Sequence, residues 1–334
     1  MVSLVLILIA FSLGRVVQGT GRLQQDQLGV SQRSRASSPG RRPWIETLSW
    51  SPRAFLYHNF LTEEEAKHIV STARPLMKRS TVVGLHGEDE ENSVRTSYGT
   101  FISRMHDAII TDIEERIAKW THLNVSHQED MQVLRYGEGQ EYKSHYDSII
   151  ESSPRMATVI LYLNDVNHGG ETAFPQSDAW STRPVGDDLL SKCARGSVAV
   201  KPKRGDALLF FSLNSDLTMD DTSLHAGCPV IEGVKWTATK WIHTSPFRPE
   251  SLGQQLVLPR FPDECINYDD RCDEWMDAGE CKRNPKYMIG DTFSIGACRL
   301  ACGECEICSK DDVACTTRNR KKAGFLPLVD DDIS

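Results

Sequence analysis

Three residues of this chain have the types and spacing of a metal-binding set: His145 and Asp147, two positions apart, and His225 further along. Side chains at positions i and i+2 of a strand point to the same face of a sheet, so His145 and Asp147 could contact one ion. Two imidazoles and one carboxylate on one face of a metal are the ligands of non-haem Fe(II) oxygenases, and they leave positions open for a co-substrate and O₂. Lys235 adds a positive charge suited to the distal carboxylate of 2-oxoglutarate bound to that iron.

The segments around these residues favour a β structure that could hold them together. An HxD pair can arise by chance, and the chain contains one. Short apolar or alternating segments separated by turns rich in Gly, Asn and Asp predict strands. These segments are residues 131–136, 141–147, 158–163, 206–211 and 235–243. Such strands are typical of an all-β barrel or sandwich, and a His-Asp-His set on that core is not expected by chance.

Two helices are expected to support that core, which gives a mainly β (α+β) fold class. Thr62 and Glu65 form a capping box, which predicts a helix from Thr62 to Ala73. A second helix is predicted from about Ile102 to Leu123, where apolar residues recur at helical spacing. The acidic, Gly-punctuated segment 84–92 is expected to form an exposed loop.

The composition predicts one sizeable core plus a small extra module. The chain has 334 residues, of which 40% are hydrophobic and 25% are charged. A net charge of −8 without a sustained basic face argues against nucleic acid as the partner.

The N-terminal segment indicates entry into the secretory pathway. Residues 2–13 are continuously apolar, a stretch shorter than the ~18–20 residues of a comfortable membrane span. We interpret residues 1–20 as a cleaved signal peptide or a short uncleaved signal anchor. Residues 21–51, which are basic and lack periodicity, are expected to form a flexible stem. In the secretory lumen, Asn124 of the sequence Asn-Val-Ser would be a glycosylation acceptor.

Eight of the ten cysteines lie between Cys265 and Cys315. So small a segment cannot bury enough apolar surface to fold alone, and we expect disulfides to hold it together. A zinc or iron–sulfur site around Cys302, Cys305 and Cys308 is the alternative, which the secretory start disfavours. Cys308 and Cys315 could form a further disulfide. Cys193 and Cys228 could also pair, or they could be two buried free thiols.

Longer sequence blocks around the candidate metal ligands are similar to those of a known enzyme family. They are residues 132–136, 140–147, 169–175, 203–211, 223–230 and 235–243. On these blocks, the chain from about residue 52 to 247 resembles the catalytic domain of prolyl 4-hydroxylases, most of all the compact plant and algal enzymes. The cysteine spacing from Cys265 to Cys305 is similar to that of a ShK-type toxin domain, which a subset of the plant enzymes carries at the C-terminus.

The resemblance implies a double-stranded β-helix, or jelly roll, that uses Fe(II), 2-oxoglutarate, O₂ and ascorbate. By motif, His145, Asp147 and His225 would hold the iron. Lys235 would bind the C5 carboxylate of 2-oxoglutarate. The implied organisation is 1–20 signal or anchor, 21–51 stem, 52–247 catalytic domain, 248–262 linker, 263–308 ShK-type domain and 309–334 tail.

The resemblance also assigns roles to residues around the metal. Those that would complete the co-substrate pocket are Tyr136, Thr172 and Trp241. The second of these could instead close a turn and the third could face the core. Those that would handle the peptide are Arg95, Ser97, Glu129, Tyr142, Arg155 and His243, and surface solvation is the alternative for Glu129 and Arg155. Among the connectivities open to six cysteines, the implied disulfides are Cys265–Cys305, Cys272–Cys298 and Cys281–Cys302.

The implied activity is hydroxylation of C4 of peptidyl proline in proline-rich secretory glycoproteins of the cell-wall type, with release of succinate and CO₂. The implied location is the endoplasmic reticulum or the Golgi, with a lumenal catalytic domain behind a type II anchor or a cleaved signal peptide. One alternative is a 2-oxoglutarate oxygenase with a different target. Another is a non-catalytic secreted binding protein that acts through the cysteine-rich module, where Lys286-Tyr287 lies as in channel-blocking toxins. The preferred proline context and the oligomeric state stay open.

Overall fold

The computed structural model describes residues 42–80, 82–83, 89–90, 97–148, 153–177, 190–252, 260–291 and 294–327, which all belong to one compact unit, Ser38–Ser334. The other unit, Met1–Ser37, lies outside the described residues, as do the predicted signal segment, most of the stem and Arg95. Of residues 82–83 and 89–90 only the backbone is described. No helix in the described ranges is long and apolar enough to cross a membrane.

The described part of the chain contains sixteen strands and six α-helices. The strands are β1 Trp44–Trp50, β2 Arg53–His58, β3 Lys78–Arg79, β4 Val82–Val83, β5 Asp89–Glu90, β6 Tyr98–Ile102, β7 Met131–Tyr136, β8 Tyr142–His145, β9 Arg155–Tyr162, β10 His168–Gly169, β11 Thr172–Phe174, β12 Val198–Val200, β13 Ala207–Phe211, β14 His225–Gly227, β15 Val230–Glu232 and β16 Lys235–His243. The helices are α1 Glu63–Ala73, α2 Ala108–Thr121, α3 Cys272–Asp277, α4 Glu280–Arg283, α5 Pro285–Met288 and α6 Val313–Lys322.

Two antiparallel sheets form the core. The larger sheet has eight strands in the order β1-β2-β13-β9-β16-β7-β6-β3, and the smaller has four in the order β12-β11-β14-β8. Apolar side chains from both sheets pack together between them. They include Leu56, Tyr162, Leu208 and Phe210 from the larger sheet and Phe174, Val198 and Val200 from the smaller. Each such burial contributes about 1.5–3 kcal/mol, and together they hold the sheets face to face.

The two predicted helices pack on the outer face of the larger sheet. Apolar residues of α1 and α2, such as Ile69 and Ile113, join one buried cluster with Val133, Val159 and Trp236 of the sheet. The predicted capping box at the start of α1 is present, since the Thr62 hydroxyl accepts from the Glu65 amide at 3.1 Å and the Thr62 amide donates to the Glu65 carboxylate at 3.0 Å. The predicted class is confirmed: a mainly β jelly roll with supporting helices and a disulfide-rich C-terminal module.

The second predicted helix begins later than the sequence pattern indicated. Ile102 is the last residue of β6 and pairs with Met131, and α2 starts at Ala108, after the N-cap residue Asp107. The Asp107 carboxylate accepts from the Ile110 amide at 2.9 Å. The predicted start of the helix was wrong because a buried strand and the buried face of a helix both contain apolar residues. Pairing with β7 makes the first of these residues a strand, and this pairing cannot be seen in the local sequence.

The predicted start of the folded domain at residue 52 was also too late. β1, Trp44–Trp50, pairs with β2 through Trp50 and Arg53, so the predicted stem includes the first strand of the larger sheet. The alternation in β1 was missed because its apolar side chains are largely exposed at the sheet edge: Trp44 is 54% and Trp50 is 69% accessible.

Disulfides organise the C-terminal region. All ten cysteines are described, and none is free, so the zinc or iron–sulfur alternative was wrong. The structure contains the predicted pairs Cys193–Cys228, Cys265–Cys305, Cys272–Cys298 and Cys281–Cys302, and also Cys308–Cys315. Residues 313–322 of the predicted tail form the helix α6. This helix contains few apolar residues, so the hydrophobic periodicity of the sequence did not predict it. The buried Arg320 anchors the helix in place of an apolar face.

Candidate active site

The three predicted metal ligands come together between adjacent strands of the smaller sheet. His145 ends β8 and lies directly opposite His225 of β14 in the antiparallel register. Asp147 follows two residues later, and its oxygens lie 3.5 Å from Nε2 of His145 and 3.6 Å from Nε2 of His225. The ligand atoms of all three lie within 4.8 Å of one another. One ion can therefore contact all of them.

Backbone carbonyls fix which nitrogen of each imidazole faces that ion. Nδ1 of His145 is 2.8 Å from the Lys143 carbonyl, and Nδ1 of His225 is 3.0 Å from the Ser223 carbonyl. A carbonyl only accepts, so each Nδ1 carries the proton and donates it. Each Nε2 is then left with a lone pair directed toward Asp147, which is the tautomer a metal requires.

The surroundings also hold the ligands in the charge states that bind a divalent cation. Burial alone would raise the pKa of Asp147, but His225, His145 and the hydroxyl of Thr158 hold it well below its usual range. Thr158 Oγ1 donates to Asp147 Oδ2 at 2.6 Å. Burial lowers the pKa of His225 to about 4, although nearby Asp147 opposes that shift. At neutral pH the set is thus a carboxylate with a neutral His225, and its donor chemistry fits Fe(II).

Lys235 supplies an unpaired cation in the same pocket. It is 4% accessible, lies opposite Tyr136 in the register of β16 and β7, and has no hydrogen-bond partner among the residues described. Burial lowers the pKa of its ammonium to about 8, while Glu171 opposes that shift. The Glu171 carboxylate itself accepts from the amide and hydroxyl of Ser191, each at 2.8 Å. Lys235 is therefore available to a carboxylate from outside the protein.

The other predicted co-substrate residues line this pocket. Thr172 Oγ1 accepts from the Tyr162 hydroxyl at 2.9 Å, and the Tyr136 ring centre lies 5.6 Å from the Lys235 nitrogen. The indole nitrogen of Trp241 is buried and has no hydrogen-bond partner in the described part of the chain. A cavity of about 40 Å³ remains, enough for an ion and a bound water.

Several lining residues were not predicted. They lie at alternate positions of three strands of the larger sheet: Gln132 and Leu134 of β7, Ile160 of β9, and Thr237 and Thr239 of β16. Because successive side chains of a strand point to opposite faces, the lining residues of β7 and β16 follow directly from the positions of Tyr136, Lys235 and Trp241. That alternation was the available signal. Thr158 and Tyr162, which support Asp147 and Thr172, carried no comparable signal.

Three of the predicted peptide residues form one connected network beside Trp241. Arg155 donates to the two oxygens of Glu129, from Nε at 2.6 Å and from Nη2 at 3.2 Å. His243 Nε2 lies 2.7 Å from Glu129 Oε1. Burial opposes ionisation of Glu129, but the hydrogen bonds from His243 and Arg155 keep its pKa below the usual value.

The network touches both the pocket wall and the metal ligands. The Arg155 guanidinium lies 3.9 Å from the Trp241 ring centre, and Arg155 Nη1 donates to the Asp147 carbonyl at 3.2 Å. Tyr142 stacks on the His145 ring with 3.6 Å between centres. These contacts place Glu129, Tyr142, Arg155 and His243 next to the metal site rather than on solvated surface.

The remaining predicted residues lie elsewhere. Ser97 is fully buried, and its hydroxyl donates to the Ser80 hydroxyl at 2.9 Å, away from the pocket lining. Arg95 lies outside the described residues. Asn124 is exposed, and its side-chain Oδ1 accepts from the Ser126 amide at 2.9 Å. Its glycosylation stays a prediction.

Comparison with known proteins identifies the family. Residues 131–243 match the family model of the 2OG-Fe(II) oxygenase superfamily. Probable prolyl 4-hydroxylase 4 of Arabidopsis thaliana is 45% identical over 270 residues, which cover 78% of this chain and 88% of that protein. This chain belongs to the prolyl 4-hydroxylase family. Prolyl 4-hydroxylase 2 of the same plant is 42% identical over 292 residues, which cover 85% of this chain and 94% of that protein.

Membership of the prolyl 4-hydroxylase family makes this protein an Fe(II)- and 2-oxoglutarate-dependent dioxygenase. A solved structure of the viral collagen prolyl hydroxylase from Paramecium Bursaria Chlorella virus-1 has a TM-score of 0.43 and 23% identity, over 57% of this chain and 96% of that chain. The prolyl 4-hydroxylase assignment depends on the sequence relatives. In such an enzyme His145, Asp147 and His225 would hold the iron, with Lys235 facing the co-substrate.

Proposed function

We propose that this enzyme hydroxylates C4 of peptidyl proline in proline-rich secretory proteins of the cell-wall type, with ascorbate maintaining the iron. The observation that carries this proposal is a single pocket in which the His-Asp-His set faces an unpaired, buried ammonium of Lys235. The plant relatives named as prolyl 4-hydroxylases support proline as the target.

Some residues of this pocket would bind the metal and the co-substrate, and others would exclude water. The iron, which His145, Asp147 and His225 would hold, would supply the activation of O₂ together with 2-oxoglutarate; the balanced products would be succinate, CO₂ and one hydroxyl group on C4. Lys235 pairs with the distal carboxylate and thereby orients the co-substrate toward the metal side. Trp241 and Tyr136 supply apolar walls that limit access of water.

The network beside the pocket suits an extended, proline-rich peptide. Such a peptide is already close to a polyproline II conformation, so it loses little entropy on binding. Tyr142 and the Arg155–Trp241 stack offer aromatic and planar surfaces against which proline rings can pack. We infer that Glu129 and His243 act indirectly, by holding Arg155 in this orientation.

We further propose that the enzyme works in the lumen of the endoplasmic reticulum or Golgi. Five disulfides and the apolar residues 2–13 support an oxidising compartment. A type II anchor and a cleaved signal peptide both agree with this location. The region 263–308 would be a ShK-type domain that aids capture of the substrate protein, with Asn124 glycosylated on the exposed surface.

A panel of peptides tests the proposal. Succinate release would be measured with Fe(II), 2-oxoglutarate and ascorbate, without peptide and with Ser-Pro-Pro, arabinogalactan-type or Pro-Pro-Gly peptides. We expect peptide-stimulated release that is lost in His225→Ala, together with a gain of one oxygen mass on proline. Turnover that no proline peptide stimulates would contradict the proposed substrate and leave the oxygenase in place.

A further inference from the structure

A second cavity lies where the C-terminal region docks on the catalytic domain. Its volume is about 230 Å³, room for several water molecules at about 30 Å³ each. Its walls come from β3, from the cysteine-rich module, and from the end of α6 with the turn that follows. The lining residues that carry charge are Lys78, Arg79, Asp291, Arg299, Glu304 and Lys322.

The carboxylates of this cavity are already engaged by lysines. Asp291 Oδ2 lies 3.2 Å from the ammonium of Lys286, and Glu304 Oε2 lies 3.2 Å from that of Lys322. Lys78 donates instead to the backbone carbonyls of Asp291, at 2.6 Å, and Ser294, at 3.3 Å. Four cations and two carboxylates therefore leave the lining with an excess of positive charge.

Among the charged residues of this lining, Arg299 is buried and has one guanidinium nitrogen without a hydrogen-bond partner in the described part of the chain. It is 3% accessible, and its Nη2 donates to the carbonyls of Glu304 at 3.1 Å and Asn319 at 3.3 Å. Its Nη1 is buried and has no hydrogen-bond partner among the residues that the structure describes. A buried charged donor without a partner costs free energy, which an anion in the cavity would recover.

Lys78 is a second buried cation of this lining. It is 8% accessible, and of the three donors of its ammonium two reach the carbonyls, while the Phe325 ring centre lies 4.6 Å from the nitrogen. Burial lowers the pKa of Lys78 to about 8; nearby Asp291 opposes that shift, and the charge of Arg299 contributes to it. Two buried cations that repel each other across one cavity are the arrangement that a shared anion stabilises.

We propose that this cavity binds a phosphate or sulfate group, with Arg299 and Lys78 as buried anchors and Arg79 and Lys322 at its opening. A guanidinium presents donors in a planar fork that matches the oxygens of such a group. This cavity lies outside residues 131–243, the range that the family model matches.

A ligand in this cavity would join the C-terminal region to the catalytic domain. The Arg79 amide already donates to the Gly324 carbonyl at 3.1 Å, and the Leu326 amide to the Met77 carbonyl at 2.8 Å. A bound anion would add contacts across the same junction. It therefore stabilises the docked state and raises the unfolding temperature in proportion to its occupancy.

The experiment uses the full chain without metal, so that iron cannot bind the probe. Inorganic phosphate is titrated calorimetrically at constant ionic strength against chloride, and thermal unfolding is followed in parallel. We expect saturable binding of one phosphate and a rise in the unfolding temperature. Arg299→Gln should weaken binding about tenfold or more, and Arg79→Gln several-fold. Arg283→Gln, at an exposed arginine of the same module, should change nothing.

Non-saturable binding, or equal affinity in wild type, Arg299→Gln and Arg79→Gln, would overturn the proposal. If Arg299→Gln fails to fold, the exposed Arg79→Gln variant decides. Sulfate and glycerol phosphate are used as further probes to distinguish a free ion from a group on a larger ligand. Tighter binding of glycerol phosphate indicates that the group belongs to a larger ligand. Tighter binding of inorganic phosphate indicates a free ion. Because no turnover is measured, the result is independent of the proposed function.

Discussion

At the scale of residues, the chemistry of the site could be predicted and its supports could not. His145, Asp147, His225 and Lys235 stand out because few other roles require those side chains at that spacing. Thr158, by contrast, is an ordinary β-forming residue in the sequence. Its role appears only when β9 places its hydroxyl 2.6 Å from Asp147.

Thr158→Val tests that support. The variant keeps the shape of the side chain but removes the hydroxyl that orients Asp147 and lowers its pKa. We expect Fe(II) or Mn(II) affinity, measured by calorimetry, to fall about 10- to 100-fold. Thr121→Val is the matched control, since the buried Thr121 hydroxyl donates to Ile117 in α2, away from the site. Unchanged metal affinity in Thr158→Val would contradict the role of this hydrogen bond.

Lys235 gives the pocket a pH dependence. Its pKa is lowered to about 8, so it is charged below that pH and loses its charge as the pH rises through that value. The dissociation constant for 2-oxoglutarate, measured anaerobically with Fe(II) by the charge-transfer absorption of the chelate, should therefore increase between about pH 7 and pH 9. Lys235→Met should bind roughly 10- to 150-fold more weakly and lose this dependence. The same dependence in wild type and Lys235→Met would contradict the assignment.

At the scale of elements, the strands that carry the site were predictable because they are buried and alternate. β7 and β16 lie where the sequence pattern placed them. The errors arose at the edges of the fold. β1 exposes its apolar residues, and β6 shares with α2 a run of apolar residues whose division depends on pairing with β7. Neither feature is encoded in local periodicity.

One buried ion pair connects an outer helix to the peptide network. Lys240 of β16 and Glu114 of α2 are both fully buried, 2.7 Å apart, and Lys240 also donates to the Glu129 carbonyl. Lys240→Met leaves the Glu114 carboxylate buried and unpaired, so urea unfolding should show a loss of about 3–5 kcal/mol. The double variant Lys240→Met/Glu114→Leu should recover much of that loss. A single variant as stable as wild type would contradict the pairing.

At the scale of the whole molecule, the cysteine pairing was implied by the resemblance, but the docking was not. Arg320 joins three segments: it donates to Asp263 at 2.6 Å, to the Leu326 carbonyl at 2.6 Å and to the Pro75 carbonyl at 3.1 Å. These partners are far apart in sequence and include two backbone carbonyls, for which no residue type serves as a signal. Only the folded chain shows that residues 313–327 pack against the catalytic domain.

Arg320→Met should release that packing without affecting the site. Losing three hydrogen bonds of a buried cation should cost about 2 kcal/mol or more and speed limited proteolysis and hydrogen exchange in residues 313–327. Arg318→Met, at the exposed arginine two residues earlier in α6 that pairs with Glu306, is the matched control. Turnover on a short peptide should stay as in wild type. Equal protection in both variants would show that Arg320 does not hold the docked state.

The most direct measurement is turnover of a proline-rich peptide in isotopically labelled O₂, followed by mass spectrometry of both products. The predicted result is one labelled oxygen atom in succinate and one on C4 of a proline, in equal amounts, with neither product in His225→Ala. Labelled succinate with an unlabelled peptide, or a label on a residue other than proline, would contradict prolyl 4-hydroxylation by this site.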